Sequence, residues 1–138
     1  MSETMTGKER REKAQGRRAE ILQGRLRDTD PGLARYADDF IFGDVWARPG
    51  ISHEERMLVA IAVLAAGGHT ELLRNYLHGA LQDGISPRKL HEVLVMLCVY
   101  VGFPPTVPAV GEFRRVFAKA VEMGVCDADA LDGLEELG

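Results

Sequence analysis

Two long apolar runs, each introduced by a helix-start signal, constrain the fold of this chain more than any other feature. The runs are Met57–Ala66 and Val93–Val101. Ser52-His-Glu-Glu55 precedes the first run and has the pattern of a capping box, in which the first and last side chains bond each other's backbone amides. Ser86-Pro87 precedes the second run, and proline is favoured at the first position of a helix. A helix that is apolar on every side is buried on every side, so we expect two central helices with the others packed around them.

The rest of the chain also has helical periodicity, with clear breaks between the segments. Helices are predicted over residues 9–26, 30–42, 52–66, 70–83, 86–101 and 110–123, with a last short helix over residues 127–137. Pro104, Pro105 and Pro108 are expected to break the chain before the 110–123 helix. No stretch shows the sustained alternation of a strand. The chain is therefore predicted to be all-α: a single domain over residues 1–138, with about six to seven helices and a flexible segment over residues 1–8.

Composition indicates which classes of binding partner and which cellular compartment to expect. The net charge of −4 argues against nucleic-acid binding, because phosphate contacts need a surplus of lysine and arginine. The apolar runs reach about half the length of a membrane span, and the N-terminus is charged where a signal peptide would be apolar. We therefore expect a cytoplasmic protein that binds neither nucleic acid nor membrane.

Helical phase sorts the polar residues of the 70–83 helix. Tyr76 falls on the inward stripe together with Leu72, Leu73 and Ala80. Two interpretations of Tyr76 remain open: a core residue with a satisfied hydroxyl, or a pocket residue. His78 falls on the opposite side of the helix, where we expect a surface histidine unless a subunit interface encloses it.

On the 86–101 helix, Glu92, Met96 and Val99 are predicted to share one inward stripe. A buried carboxylate needs a partner, because burying it alone costs several kcal/mol. Arg56, the last charge before the first apolar run, is the predicted partner. Such a pair either fixes helix packing or belongs to a pocket in which its perturbed pKa values serve catalysis.

Metal and nucleotide cofactors are disfavoured. The four histidines share no helix face, and Cys98 and Cys126 form no CxxC pair. HExxH, P-loop, GxGxxG and GxSxG motifs are absent. We therefore predict no metal and no cofactor.

Several segments, in this order, resemble the carboxymuconolactone decarboxylase family. They are Gly16–Gly24, Phe42–Ile51, Glu55-Arg56, Gly79–Gly84, Glu92 and Tyr100–Pro104. The resemblance implies an all-helical domain of the alkylhydroperoxidase type that assembles into a ring-like homo-oligomer, a trimer or a hexamer. It also implies cofactor-free decarboxylation or double-bond migration on a small lactone acid. That chemistry needs a cation for the carboxylate and a group that delivers a proton.

Two positions depart from the family pattern. The family usually has histidine at the position of Tyr76, and often histidine or glutamine at the position of Met96. A tyrosine with its ordinary pKa of about 10 donates a proton or a hydrogen bond but is a poor base at neutral pH. The related alkylhydroperoxidases carry C-x-x-C-x-x-x-H, where this chain has His69, Leu72 and Tyr76. Thiol peroxidase chemistry is therefore excluded.

Two hypotheses remain. In the first, the chain is a cofactor-free lyase or isomerase that acts on a small oxygenated ring, lactone or enolic acid. Arg56 then binds anionic oxygen, Glu92 orients or exchanges protons, and Tyr76 donates. The substrate-binding residues in this hypothesis are Trp46, His78, Met96 and Tyr100. In the second, the chain is a non-catalytic oligomeric module that kept the fold and binds a small molecule.

Overall fold

The protein is described by a computed structural model covering residues 5–133, in which all regular structure is helical. The α-helices are α1 (Gly7–Gln15), α2 (Ala19–Thr29), α3 (Pro31–Tyr36), α4 (His53–Ala66), α5 (Thr70–Gln82), α6 (Pro87–Val101) and α7 (Phe103–Glu122). Short 3-10 turns lie at Gly16–Arg18 and Val45–Ala47, and α3 continues into a π-helical turn over Ala37–Ile41. The prediction of an all-α fold is confirmed.

Helix α5 lies at the centre of the fold and packs against α1, α4 and α7. The largest side chains with almost no exposure include Met57 and Ile61 from α4, Leu73 and Leu77 from α5, and Phe113 from α7. Each such side chain contributes roughly 1.5–3 kcal/mol when it leaves water. This shared core fixes which faces of α5 turn toward α1 and toward α7.

The prediction that both apolar helices are buried on every side is wrong for the described chain. Val59 and Val63 on α4 are 57% and 62% exposed, and Val99 on α6 is 78% exposed. Helix α4 is covered by α5, α6 and α7, and α6 is covered by α4 and α7, so each keeps an open face. Exposed apolar residues in such number are typical of a protein contact surface.

The predicted helix over residues 9–26 is divided at Gly16, which has a φ of 61° and begins a 3-10 turn. Helix α1 starts at Gly7, after a capping box between Thr6 and Glu9. Residues 7 and 8 are therefore helical and not part of the expected flexible segment. Residues 1–4 of that segment lie outside the described residues.

Helices α1 and α5 cross in backbone contact at Gly79. A Cβ atom added to Gly79 would lie 2.0 Å from the carbonyl oxygen of Ala14, which no relaxed structure tolerates. Beside the crossing, the Gln82 Oε1 atom accepts a hydrogen bond from the Arg17 backbone amide at 3.0 Å. Only glycine fits at position 79. The close contact holds the end of α1 against α5 and so places Gln15 beside α5.

Helix α7 starts at Phe103, seven residues earlier than predicted. Pro104 and Pro105 lie in its first turn, where no backbone N–H is needed, so they start the helix and do not prevent it. Pro108 lies inside the helix. Residues 127–133 form turns where the sequence predicted a helix, and the rest of that predicted helix, residues 134–138, lies outside the described residues.

Candidate active site

A cavity of about 410 Å³ lies between α1, α2, the π-helical turn and α5. We call it the Tyr76 cavity. Its apolar lining consists of Leu22, Leu26, Ala37, Ile41, Phe42 and Leu72. Its polar lining consists of Arg11, Gln15, Gln23, Arg25, Thr29 and Tyr76. A mainly apolar cavity of this size with a few convergent polar groups is the usual form of a small-molecule site.

Tyr76 lies inward on α5, as predicted, and is 8% exposed. Its hydroxyl accepts a hydrogen bond from Gln15 Nε2 at 3.4 Å. Burial raises the pKa of Tyr76, and the hydrogen bond from Gln15 offsets only part of that rise. The hydroxyl is therefore protonated at neutral pH, and because Gln15 donates to it, its own proton is available for another acceptor.

Gln15 presents a buried acceptor beside this hydroxyl. The residue is 7% exposed, and its Oε1 atom has no hydrogen-bond partner among residues 5–133. A buried polar atom without a partner costs about 1–3 kcal/mol. A hydroxyl or amide of a bound molecule would remove that cost, so Gln15 and Tyr76 together offer one acceptor and one donor.

Arg11 lies in the cavity wall and is only 2% exposed, and its charge is paired with Asp38 at 2.6 Å and with Glu20 at 3.7 Å. Its Nε atom donates to Asp38 Oδ1 at 2.6 Å, and its Nη1 atom donates to the carbonyl oxygen of Ala19 at 3.1 Å. Gln23 Nε2 donates to the carbonyl oxygen of Ala34 at 3.0 Å. These contacts hold both side chains in place before any ligand arrives, which is the condition for electrostatic stabilisation without reorganisation.

Trp46 lies beside the cavity and does not line it. Its ring centroid is 6.3 Å from that of Tyr76 and 5.0 Å from that of Phe42. His53 contacts it as well, at 5.6 Å between ring centroids. Trp46 thus supports two aromatic side chains of the lining. The sequence analysis predicted that Trp46 would contact the substrate; in the structure it lies near Tyr76, behind the lining.

The predicted ion pair between Arg56 and Glu92 is not formed. Arg56 Nη2 donates instead to the carbonyl oxygen of Arg48 at 2.7 Å and so fixes the loop before α4. The Glu92 side chain is 62% exposed, and the titratable group recorded beside it is His91, at 3.8 Å. A carboxylate this exposed stays solvated and needs no buried cation.

The cause is the phase assigned to α6. The buried residues of this helix are Leu90 and Leu94, and Glu92 lies two positions after Leu90, roughly 200° around the helix. Met96 and Tyr100 are 59% and 71% exposed. Because the run is apolar on every side, its sequence does not indicate which face of α6 is buried. Glu92, Met96 and Tyr100 can belong to a pocket only where another chain covers this surface.

His78 is half-buried on the face of α5 opposite Tyr76, since two residues correspond to about 200° of rotation. Burial lowers the pKa of His78, and neighbouring arginines lower it further. Its predicted surface position is therefore correct only in part. It lies outside the Tyr76 cavity.

Residues 5–133 give little support for thiol chemistry, for a metal site or for a membrane-spanning helix. Cys98 and Cys126 are both free thiols, and burial raises the pKa of Cys126, which weakens it as a nucleophile. No group of three or more histidine, cysteine, aspartate and glutamate side chains is placed to hold a metal ion in this part of the chain. None of the helices described is both long and apolar enough to cross a membrane.

Arg11, Gln15 and Gln23 were not identified from the sequence. Helix α1 contains a single aliphatic residue, Ala14, so it has no apolar stripe that would indicate a buried face. The signal that exists is the i, i+3, i+4 spacing of Arg11, Ala14 and Gln15, which places all three on one side of the helix. These three residues are the buried residues of α1.

The fold is a small helical domain with a partly enclosed, mainly apolar cavity beside Tyr76. The sequence profile of the carboxymuconolactone decarboxylase family matches residues 31–114, and the chain therefore belongs to this family. The matched segment runs from α3 into α7 and includes Phe42, Leu72 and Tyr76. Arg11 and Gln15, from the other side of the cavity, precede it.

Two curated relatives are similar to the chain. A 4-carboxymuconolactone decarboxylase of Acinetobacter baylyi is 33% identical over 92 residues, which cover 67% of this chain and 69% of the relative. A nitrosuccinic acid decarboxylase of Metarhizium robertsii is 26% identical over 112 residues, which cover 77% and 76% of the two chains. The family and the names of both relatives support a decarboxylase-like activity.

Proposed function

We propose that the chain is a cofactor-free decarboxylase or isomerase that acts, in the Tyr76 cavity, on a small lactone, enolic or otherwise oxygenated carboxylic acid. The observation that carries the proposal is the buried pair of Tyr76 and Gln15. Both residues line a mainly apolar cavity of about 410 Å³, and the pair contains a protonated hydroxyl and a buried carbonyl oxygen without a partner among residues 5–133. Family membership and the decarboxylase names of both relatives support the same reaction class.

In the proposed reaction, the carbon–carbon bond to the substrate carboxylate breaks and carbon dioxide leaves. The electron pair moves into a conjugated acceptor of the substrate, such as a lactone carbonyl, and forms an enolate. Tyr76 transfers its hydroxyl proton to the carbanionic carbon and regains a proton from water. Double-bond migration uses the same enolate and the same protonation by Tyr76, with the carbon-bound proton taken up by the substrate's own carboxylate.

The cation near the reacting group is Arg11 in this proposal, not Arg56. Its Nε and Nη1 atoms already donate to Asp38 and Ala19, and Asp38 and Glu20 balance its charge, so Arg11 offers the substrate a fixed, oriented guanidinium and no surplus positive charge. Gln15 Oε1 accepts a hydrogen bond from a hydroxyl or protonated carboxyl of the substrate. The apolar lining keeps water away from the enolate until Tyr76 has protonated it.

A second candidate function is a non-catalytic module that binds a small acid in the same cavity. It is favoured by one observation, the replacement of the family's usual polar residues by Tyr76 and Met96. Both candidates require binding, but only the first requires release of carbon dioxide or a rearranged product.

The experiment that separates them incubates the protein with a panel of small acids and follows carbon dioxide and product by NMR. The panel begins with 4-carboxymuconolactone and nitrosuccinic acid, the compounds in the relatives' names. Turnover that is lost in Tyr76→Phe and kept in Tyr36→Phe, a variant outside the cavity lining, supports the decarboxylase. Binding without turnover across the panel supports the binding module, and equal turnover in wild type and Tyr76→Phe overturns the assignment to this cavity.

We further propose that the chain forms a homo-oligomer, a trimer or a hexamer, through the exposed apolar residues of α4 and α6. These residues are Val59, Val63, Val95, Met96, Val99 and Tyr100. Contact with a copy of the chain would remove these apolar side chains from water, which is favourable. The two free thiols agree with a reducing, cytoplasmic compartment.

A further inference from the structure

A second, smaller pocket lies on the other side of α5. Its volume is about 170 Å³, and we call it the His78 pocket. It is lined by Arg17, Arg18 and Ile21 from the N-terminal segments, by His78 from α5, and by Lys119 and Met123 from α7 and its end. Three of these six side chains are permanent cations and none is acidic.

The cations of the His78 pocket lack strong acidic partners within the described chain. Arg17 Nη1 lies 2.8 Å from the sulfur of Met123, which is a weak acceptor. Lys119 Nζ lies 3.9 Å from Glu122 Oε1, and 73% of the Glu122 side chain is exposed. A pair this long and this exposed contributes little.

Arg18 supplies the strongest sign that the pocket is built for a ligand. Its Nε atom is buried and has no hydrogen-bond partner in residues 5–133. A buried donor on a charged group is costly to leave unpaired. Arg18 lines the pocket, and an anion bound by its terminal nitrogens would offset the cost of burying this charge.

The nearest buried acid does not neutralise this cluster, because other cations already hold it. Glu112 is 2% exposed and accepts hydrogen bonds from Arg74 at 2.6 Å and Arg115 at 2.9 Å. Two cations thus surround the single charge of Glu112, so these three groups together carry a net positive charge beside the pocket. The positive potential of Arg17, Arg18 and Lys119 therefore remains.

We propose that the His78 pocket binds a small oxyanion with at least two charged oxygens, of the phosphate or dicarboxylate class, independently of the Tyr76 cavity. The volume of about 170 Å³ is sufficient for such an anion. Arg18 and Lys119 supply charge-assisted hydrogen bonds, and His78 lies within the lining as a further donor.

His78 reports on occupancy of the pocket. Burial lowers its pKa first, Arg18, Arg17 and Arg74 lower it further, and Glu112 raises it in part. A bound anion offsets the effect of the arginines, so it moves the pKa of His78 upward. The shift can be read directly from the imidazole resonances.

The test is an NMR titration of the imidazole nitrogens with inorganic phosphate and, separately, with succinate. Sodium chloride keeps the ionic strength constant, and His78→Gln assigns the signals. We expect a saturable upward shift of the His78 pKa that His53, His69 and His91 do not share. Saturation by phosphate alone identifies a phosphate-type ligand, and saturation by succinate alone identifies a dicarboxylate. Equal movement of all four histidines, or no movement beyond that of the chloride control, would overturn the proposal.

Three variants localise the effect. Arg18→Gln is expected to weaken anion binding about tenfold, since it removes one charge-assisted hydrogen bond. Lys119→Gln should weaken it several-fold and also serves where Arg18→Gln fails to fold, because 58% of the Lys119 side chain is exposed. Lys89→Gln is the control on α6 and should bind as wild type does. Unchanged affinity in Lys119→Gln would contradict the assigned pocket even if an anion binds elsewhere.

Discussion

Gln15 on α1 donates a hydrogen bond across 3.4 Å to the hydroxyl of Tyr76 on α5, although the two residues are 61 positions apart. The contact exists because α1 and α5 cross at Gly79, where the backbone of α1 occupies the space of a side chain. The candidate site is therefore a product of helix crossing and not of a local motif.

Tyr76→Phe tests the proposed proton donor. We expect turnover of the acid identified in the panel to fall by about 10²–10⁴-fold, the range for loss of a general acid. The free energy of unfolding should change by no more than about 1.5 kcal/mol, because the ring stays and one neutral hydrogen bond is lost. Steady-state kinetics and urea denaturation measure the two quantities. Tyr36→Phe, at a residue on α3 that is 54% exposed and outside the cavity lining, should match wild type in both.

Arg11→Met tests the buried cation of the cavity wall. The change leaves the Asp38 carboxylate without its partner, and removal of one member of a buried pair costs roughly 3–5 kcal/mol. We expect a loss near the lower end, since 27% of the Asp38 side chain is exposed. Arg27→Met, at an exposed position of α2, should change stability by less than about 0.5 kcal/mol. Equal urea midpoints for both variants would show that the pair does not stabilise the fold.

Gly79→Ala tests the helix crossing, with Gly111→Ala as its matched control. The methyl group at position 79 would meet the Ala14 carbonyl oxygen at 2.0 Å, whereas at position 111 nothing lies within 4 Å. We expect Gly79→Ala to destabilise by at least about 1–3 kcal/mol and to change the fluorescence of Trp46, which packs on Tyr76. Gly111→Ala should be neutral or stabilise by up to about 1 kcal/mol through helix propensity. A Gly79→Ala protein as stable as wild type would refute the contact.

Glu112 gives stability a defined pH dependence. Burial alone would raise its pKa, but hydrogen bonds from Arg74 and Arg115 outweigh burial and leave the pKa below its ordinary value of 4.5. Because the unfolded chain binds this proton more tightly, the contribution is complete above about pH 4.5 and is lost as pH falls through the lowered folded value. Wild type should exceed Glu112→Gln by about 1–3 kcal/mol at neutral pH. The difference should shrink toward zero in acid, as followed by urea denaturation across pH. Glu122→Gln, whose native side chain is 73% exposed, should show no such trend.

Val63→Glu combined with Val99→Glu tests the proposed assembly surface. Light scattering of wild type should give a mass of a trimer or hexamer of the 15.2 kDa chain. The double variant should shift toward monomer, because two charges would be buried in the contact. Val125→Glu, at a residue outside α4 and α6 that is 38% exposed, should stay assembled. A wild-type mass of 15.2 kDa at micromolar concentration would contradict the proposal.

Local signals in the sequence were sufficient for much of the fold. The capping box at Ser52 and the proline at position 87 fixed the starts of α4 and α6 to within a residue. On α5, polar and apolar residues alternate with helical periodicity, so the inward position of Tyr76 followed from phase alone. The start of α7 was missed because prolines suit a first helical turn as well as a break.

The candidate site was less accessible to sequence reasoning, for two physical reasons. Helix α6 is apolar all round, so its sequence cannot say which face a neighbour covers, and Glu92 was assigned inward. Helix α1 is polar nearly all round, yet the close approach at Gly79 buries Gln15, and contacts with Ala19 and Asp38 bury Arg11. Both outcomes depend on which helices meet, and that information is not local to either segment.

The residues that line the Tyr76 cavity differ in how closely they are tied to the core of the domain. The matched segment begins at residue 31 and carries Tyr76 within the same helix as the core residues Leu73 and Leu77. Gln15, Leu22 and Leu26 come from the preceding helices, where none of them belongs to the buried core cluster. Tyr76 is thus tied to the stability of the domain, while Leu22 and Leu26 of the opposite wall can be exchanged with less effect on it. Exchanging these two residues between relatives, with Arg11, Ala14 and Gln15 kept, is therefore a direct route to changing which ligand the cavity accepts.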